Sequence, residues 1–228
     1  YEADAAWTVQ PHGQGLSYFG LILDVYRAIR SLGLSVDILP PTERDFSGYQ
    51  IVFAPGLMHM PDDLKRALSN ASGHVIIGPR AAARDEHMSL PVPLPPNLPN
   101  LDVTVARIES LRPDSPIALD GEGAVQLYRE ELEGTATVTA RTQSSQTVSV
   151  SNGQLTYVGA MMDLAGWKRL IVDVCDKVGL ETITLPDSVR IRDTATERFW
   201  FNFDTVEQDI DGCKLDPISV TRELLNPS

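Results

Sequence analysis

Apolar side chains at Phe19, Ile22, Leu23, Tyr26 and Ile29 recur at helical spacing and predict a helix over residues 17–32. Ser17 is placed to cap its start, and Gly33 to take the left-handed position past its end. Residues 35–39 (S-V-D-I-L) alternate as a strand does until Pro40-Pro41 stop the run. Residues 50–54 (Q-I-V-F-A) are almost wholly apolar and close on Pro55-Gly56, the pattern of a parallel strand covered on both faces. A second helix opens at Pro61, carries Asp62-Asp63 in its first turn, turns Leu64, Ala67, Leu68 and Ala71 inward, and ends at Gly73. Residues 74–78 (H-V-I-I-G) repeat the buried-strand pattern. This βαβ rhythm with short loops predicts an α/β, doubly wound sheet.

The grammar changes after residues 90–99, where Pro91, Pro93, Pro95, Pro96 and Pro99 predict an extended connector without ladder donors. Strand-like runs follow at 101–108, 124–128, 135–140, 147–150 and 155–160. A final helix begins at Asp163, a capping residue, and runs through Leu164, Trp167, Leu170, Ile171, Val174 and Val178 to Gly179. Two further strand patterns, 189–192 and 198–203, predict a small separate β-unit. The expected organisation is one α/β domain with added antiparallel strands over 1–184 and a β-unit over 185–228. The chain starts at Tyr1 without Met and enters helical pattern at once, as a chain does when something upstream has been removed.

Composition narrows the function classes. The 228 residues are 43% hydrophobic and 22% charged, enough for a sizeable core. A formal charge of −12 repels nucleic acid and anionic membrane surfaces, so neither is expected as a partner. No apolar run approaches a bilayer span and no signal peptide opens the chain, which predicts a cytoplasmic location. Cys175 and Cys213 cannot supply a disulfide scaffold. His12, His59, His74 and His87 share no metal-ligand spacing, and Gly13-x-Gly15 does not follow a strand, so neither a metal nor a dinucleotide cofactor is expected.

Gly78-Pro79-Arg80, directly after a buried strand, is the most site-like stretch, because ligands gather at the carboxyl ends of strands in open α/β sheets. Arg80, Asp85, Glu86 and His87 are the candidate ligand-binding residues, with Arg84 beside them; a salt-bridged loop is the plainer alternative. The order of elements also invites comparison with class I glutamine amidotransferases, which need a nucleophilic Cys on a tight strand-to-helix turn. The two eligible turns read Ala54-Pro55-Gly56-Leu57 and Gly78-Pro79-Arg80, and neither offers Cys or Ser. Adjacent acidic pairs (Asp62-Asp63, Asp85-Glu86, Glu130-Glu131) define no carboxyl pair facing across a sugar. No catalytic residue is assigned.

Several phrases together resemble family-42 β-galactosidases. Ser17-Tyr18-Phe19 leading into Leu23-Asp24-Val25-Tyr26-Arg27-Ala28, then Gly33-Leu34-Ser35-Val36-Asp37-Ile38, is similar to the opening helix and strand of that family's trimerisation domain. Tyr49-Gln50-Ile51-Val52-Phe53-Ala54-Pro55, Gly78-Pro79-Arg80 before Asp85-Glu86-His87, and Gly159-Ala160 ahead of the Trp167 helix follow in the same order. Arg198-Phe199-Trp200-Phe201-Asn202-Phe203 resembles the start of its small C-terminal β-domain. The resemblance implies an amidotransferase-like (flavodoxin-like) fold without that activity, which packs subunits into a homotrimer. It also implies a catalytic (β/α)₈ barrel upstream in the same polypeptide that hydrolyses terminal β-D-galactosides by a retaining mechanism. No glutamate of that barrel has a counterpart here, and only Tyr1-Glu2 would remain of the domain's first strand.

A trimer contact needs apolar anchors, for which Trp7, Tyr18, Tyr49, Met58 and Met60 are the candidates. A free-standing α/β protein that binds a sugar or effector at the Arg80 to His87 edge is the alternative function. An amidotransferase relative with an unusual cysteine nucleophile ranks last.

Overall fold

The computed structural model describes residues 6–8 and 13–225. His12 and the Tyr1-Glu2 remnant lie outside the described residues. The first long helix, α1 (Tyr18–Ser31), starts where Ser17 Oγ accepts from the Gly20 N–H at 3.0 Å. It leads through an extended segment, residues 34–39, to β1 (Ile51–Ala54), α2 (Asp62–Ser69) and β2 (His74–Ile77). Pro61 is the N-cap of α2, one position before the place its sequence predicts, and Leu64 and Leu68 are buried as expected.

Beyond β2 come β3 (Pro96–Leu98), β4 (Leu101–Ser110), β5 (Ile117–Ala118) and β6 (Ala124–Glu133). Then follow β7 (Thr137–Arg141), β8 (Thr147–Ser151), β9 (Leu155–Val158), β10 (Ala160–Met162) and α3 (Leu164–Val178). The tail holds β11 (Val189–Asp193), β12 (Glu197–Asn202), β13 (Gln208–Ile210), β14 (Cys213–Leu215) and β15 (Ser219–Leu224).

The architecture is mixed α/β with several sheets. One five-stranded sheet has the order β1-β2-β9-β8-β7, and a second has β10-β6-β4-β3 with β5 beside β6. Among the strands of the described residues only β1, β2 and β9 run parallel to one another; β8 and β7 continue the first sheet antiparallel. Among the described residues the parallel part is thus three strands, and many of the added strands form a sheet of their own. One apolar core lies among α1, α3 and the two sheets around Leu21, Val25, Trp167 and Ile171. Another lies under α2 around Leu64, Leu68, Val75 and Tyr157. The tail has its own, smaller core of Leu185, Val189, Ile191, Trp200, Ile210 and Leu215.

Four local expectations are corrected. Residues 35–39 pair with no strand among the described residues. Arg192 donates to the Val36 carbonyl and the Asp37 carboxylate, and Ser35 Oγ accepts from the Asp193 N–H, so that side of the segment is held by the tail. The run 155–160 is two strands in different sheets. At the changeover Gly159 donates to the Val148 carbonyl in the first sheet and accepts from Glu130 in the second. The proline-rich stretch contributes β3, because a proline carbonyl still accepts: Val105 N–H donates to Pro95 O at 2.8 Å. Finally, α1 buries Leu21, Val25 and Ala28, while Phe19 and Tyr26 of the predicted inward face are exposed.

Candidate functional site

The carboxyl end of β2 is the place where an open α/β sheet offers a site. Gly78 follows the strand at φ +103, and a Cβ there would collide with the Val158 carbonyl of the neighbouring strand, so only glycine fits. Arg80 and Ala82 then take left-handed backbone, φ +61 and +52. This tight course turns the Arg80 side chain inward, where it is 2% exposed.

Arg80 joins a buried polar hub. Its backbone N–H donates to Glu130 Oε1 at 2.9 Å. Tyr128 donates its hydroxyl to the same oxygen at 2.9 Å, and Tyr157 donates to Oε2 at 2.7 Å. The Arg80 guanidinium lies 4.3 Å from the centre of the Trp7 ring and 5.9 Å from that of Tyr128. Burial pushes the Arg80 pKa down to about 10, with Glu130 and Tyr128 pulling it back up. Burial also raises the Glu130 pKa against the opposing pull of its three donors, and raises both tyrosines. The Glu130 carboxylate and the two tyrosine hydroxyls are each held by hydrogen bonds, which is what an interior polar network needs to be tolerated.

A pocket of about 290 Å³ adjoins the hub, lined by Arg80, Arg84, Arg107, Tyr128 and Glu130 on its polar side. Leu90, Leu94 and Ile108 line its apolar side. Arg107 is paired with Glu131 at 2.6 Å. Of the residues singled out in sequence as ligand-binding candidates, Arg80 and its neighbour Arg84 belong to this place. Asp85 Oδ1 accepts from the His87 and Ser89 N–H groups and shapes a turn, and Glu86 and His87 form an exposed pair at 3.5 Å. The sequence reading missed Glu130, Tyr128 and Tyr157. Glu130-Glu131 reads as a solvated pair until the strand alternation is known to turn Glu130 inward.

The aromatic and methionine candidates divide in the same way. Trp7 is 4% exposed and donates from Nε1 to the Gly56 carbonyl, and Met58 and Met60 are 1% and 4% exposed. These three are interior side chains of the single chain. Tyr18 packs edgewise against Trp7, and Tyr49 points its hydroxyl toward Asp37; both are half-buried. The exposed apolar side chains are elsewhere: Leu90, Val92, Leu94 and Ile108 beside the pocket, Phe19, Tyr26 and Ile38 around the first helix, and Phe203, Val206, Ile218, Val220 and Leu224 in the tail.

The turn at Arg80 carries no nucleophile. Cys175 is buried within α3, where desolvation first and Asp176 second push its thiol up to about 11, and Cys213 lies in the tail. Among the described residues there is no metal-binding cluster, and no helix is long and apolar enough to cross a membrane.

Residues 1–181 match the sequence profile of the β-galactosidase trimerisation domain. The chain belongs to that family. It is 33% identical over 212 residues to a β-galactosidase of Thermus thermophilus, an alignment covering 89% of this chain and 32% of that protein. It is 30% identical over 226 residues to the β-galactosidase Bga of Halorubrum lacusprofundi, covering 84% and 32%. The fold matches the crystal structure of the β-galactosidase from the psychrophilic Marinomonas ef1 with a TM-score of 0.90 at 25% identity, covering 97% of this chain and 36% of that one. The polyextremophilic enzyme of Halorubrum lacusprofundi gives 0.83 at 26% identity. The chain thus spans about a third of the length of the curated relatives it matches. In this chain the buried Arg80–Glu130 hub occupies the carboxyl end of β2.

Proposed function

We propose that this chain is the non-catalytic self-association region of a β-galactosidase, forming a homotrimer and joined in one polypeptide to a catalytic barrel that cleaves terminal β-D-galactosides. The observation that carries this reading is the family match over 1–181. The filled strand end supports it: where a nucleophile elbow would stand, Arg80 is buried and Glu130 is saturated by three donors. In this reading residues 1–184 are a flavodoxin-like unit of amidotransferase ancestry, and 185–228 begin a separate β-domain, working in the cytoplasm. Self-association uses the exposed strap of Leu90, Val92 and Leu94 with Ile108, where Val92 is 95% exposed. Around a threefold axis this strap meets a different patch of the next copy. Sedimentation equilibrium of the purified chain tests the reading. A mass three times that of the protomer, with no turnover of a chromogenic galactoside, is expected; a monomer at high concentration argues against it.

A second reading is favoured by the 290 Å³ pocket with arginines on its wall. In it the same edge binds a sugar or small anionic effector. Thermal-shift measurements with galactose and with small carboxylates separate the two, since a ligand of the folded state raises its melting temperature. Loss of that shift in Arg84→Ala would favour binding over pure scaffolding.

A further inference from the structure

The pocket beside the hub is chemically one-sided. Arg80, Arg84 and Arg107 line it, and its one carboxylate is that of Glu130. Both Glu130 oxygens are already engaged: Oε1 accepts from the Arg80 N–H and the Tyr128 hydroxyl, and Oε2 accepts from the Tyr157 hydroxyl. A guanidinium only donates. The polar lining therefore offers donors and positive charge, and a ligand has to answer with acceptors. A neutral sugar, whose hydroxyls each bring a proton to place, matches such a lining poorly.

Charge sets how many acceptors of that kind the pocket takes. Arg107 arrives already paired with Glu131 at 2.6 Å. That leaves Arg80 and Arg84 against the single carboxylate of Glu130, a balance of one positive charge. Burial pushes the Arg80 pKa down to about 10, and Arg84, a like charge, adds to the push. An anion beside the two guanidiniums would ease both effects, and a carboxylate does so with the strongest hydrogen-bond geometry an arginine makes. One carboxylate suffices for one charge.

The apolar wall sets the rest of the ligand. Leu90, Leu94 and Ile108 carry no polar side-chain atom, and each is between 41% and 56% exposed in the single chain. An apolar body laid against them removes that surface from water. A volume of about 290 Å³ lies at the small end for ligand sites and holds about ten water-sized groups. We propose, taking the second reading of this edge as the starting point, that the pocket binds a small monocarboxylate with a compact apolar body. Its carboxylate lies against Arg80 and Arg84, and its body against Leu90, Leu94 and Ile108.

Isothermal titration of the chain with benzoate is the test, beside acetate, benzamide, sulfate and galactose. Benzoate is expected to bind with a dissociation constant of about 0.1–1 mM. At ten times that concentration it should raise the melting temperature by about 3 °C. Acetate has the charge without the body and benzamide the body without the charge, so each should bind at least about tenfold more weakly. Arg84→Ala should weaken benzoate about tenfold or more. Ile108→Asp, which sets a like charge on the partly exposed apolar wall, should do the same and carries the test if Arg84→Ala melts early. Arg222→Ala removes an exposed cation of the tail and should leave benzoate binding unchanged. Absence of benzoate binding, benzamide or sulfate binding as tightly as benzoate, or benzoate binding that survives both pocket variants would each overturn the proposal. Galactose binding that is lost in Arg84→Ala, with no response to benzoate, would overturn this ligand class and keep the second reading; silence from every compound would remove both.

Discussion

Glu130 holds three donors at 2.7–2.9 Å in the interior of the second sheet. Glu130→Leu would orphan all three, and breaking a buried polar cluster in this way costs about 3–5 kcal/mol. Glu130→Gln keeps a carbonyl for Tyr128 and the Arg80 N–H and offers an amide to Tyr157, so its cost is expected at about 1–2 kcal/mol. Urea denaturation of both variants checks the ordering; equal, small losses would mean that the hub is incidental to stability. His74 gives the matching prediction for pH. It is buried on β2, within 2.8 Å of Thr156 Oγ1, and desolvation, with the Lys177 cation adding to it, pushes its pKa from 6.5 down to about 4. The folded state therefore holds a neutral ring where the unfolded chain takes up a proton. Its contribution is complete above about pH 6.5 and is lost as pH falls toward 4, up to about 3 kcal/mol in all. His74→Gln should flatten that part of the stability profile, as measured by denaturation between about pH 4 and 7.

At the scale of elements, the helix α3 shows how much of this fold was legible. Asp163 Oδ1 accepts from the Gly166 N–H at 2.8 Å, and Gly179 ends the helix at φ +70, both at the positions the residue pattern assigns. Asp163→Ala should cost about 1 kcal/mol, read as a fall of about 2–4 °C in melting temperature. Caps, buried strands and proline stops are local signals, and they located α1, α2, α3, β1, β2 and most of the antiparallel strands. Pairing is not local. The split of 155–160 at Gly159 depends on which sheet each neighbour joins, and no periodicity carries that. The surroundings of the candidate site were illegible for the same reason. Arg80 was singled out because it follows a buried strand, but its inward turn comes from left-handed backbone at Arg80 and Ala82. Its partners Tyr128, Glu130 and Tyr157 stand 48 or more positions later and meet it only through the second sheet and β9. The two apolar faces of α1 were both written in the sequence. Of the predicted stripe, Phe19 and Tyr26 are exposed and Ile22, Leu23 and Ile29 half-buried, whereas the fold buries Leu21, Val25 and Ala28.

For the whole molecule, the acidic balance and the apolar strap pull association in opposite directions. Each copy carries a formal charge of −12, so assembling three of them gathers like charge. The proposed contact, Leu90, Val92, Leu94 and Ile108, has no charge to lose to screening, and the neighbouring Arg107 is already paired with Glu131. Added salt should then weaken the repulsion and leave the attraction intact. The trimer fraction at fixed protein concentration is expected to rise from about 20 mM to about 300 mM salt, where the screening length has fallen several-fold. Val92→Asp should shift the equilibrium to protomers at both, since a buried carboxylate without a partner is strongly disfavoured at a contact. Because Val92 is almost fully exposed in the single chain, the same variant should leave the melting temperature of the protomer unchanged. Sedimentation velocity across the salt series reads both effects. A trimer that dissociates as salt is added, or one that tolerates Val92→Asp, would place the contact on ion pairs elsewhere and remove the strap from it.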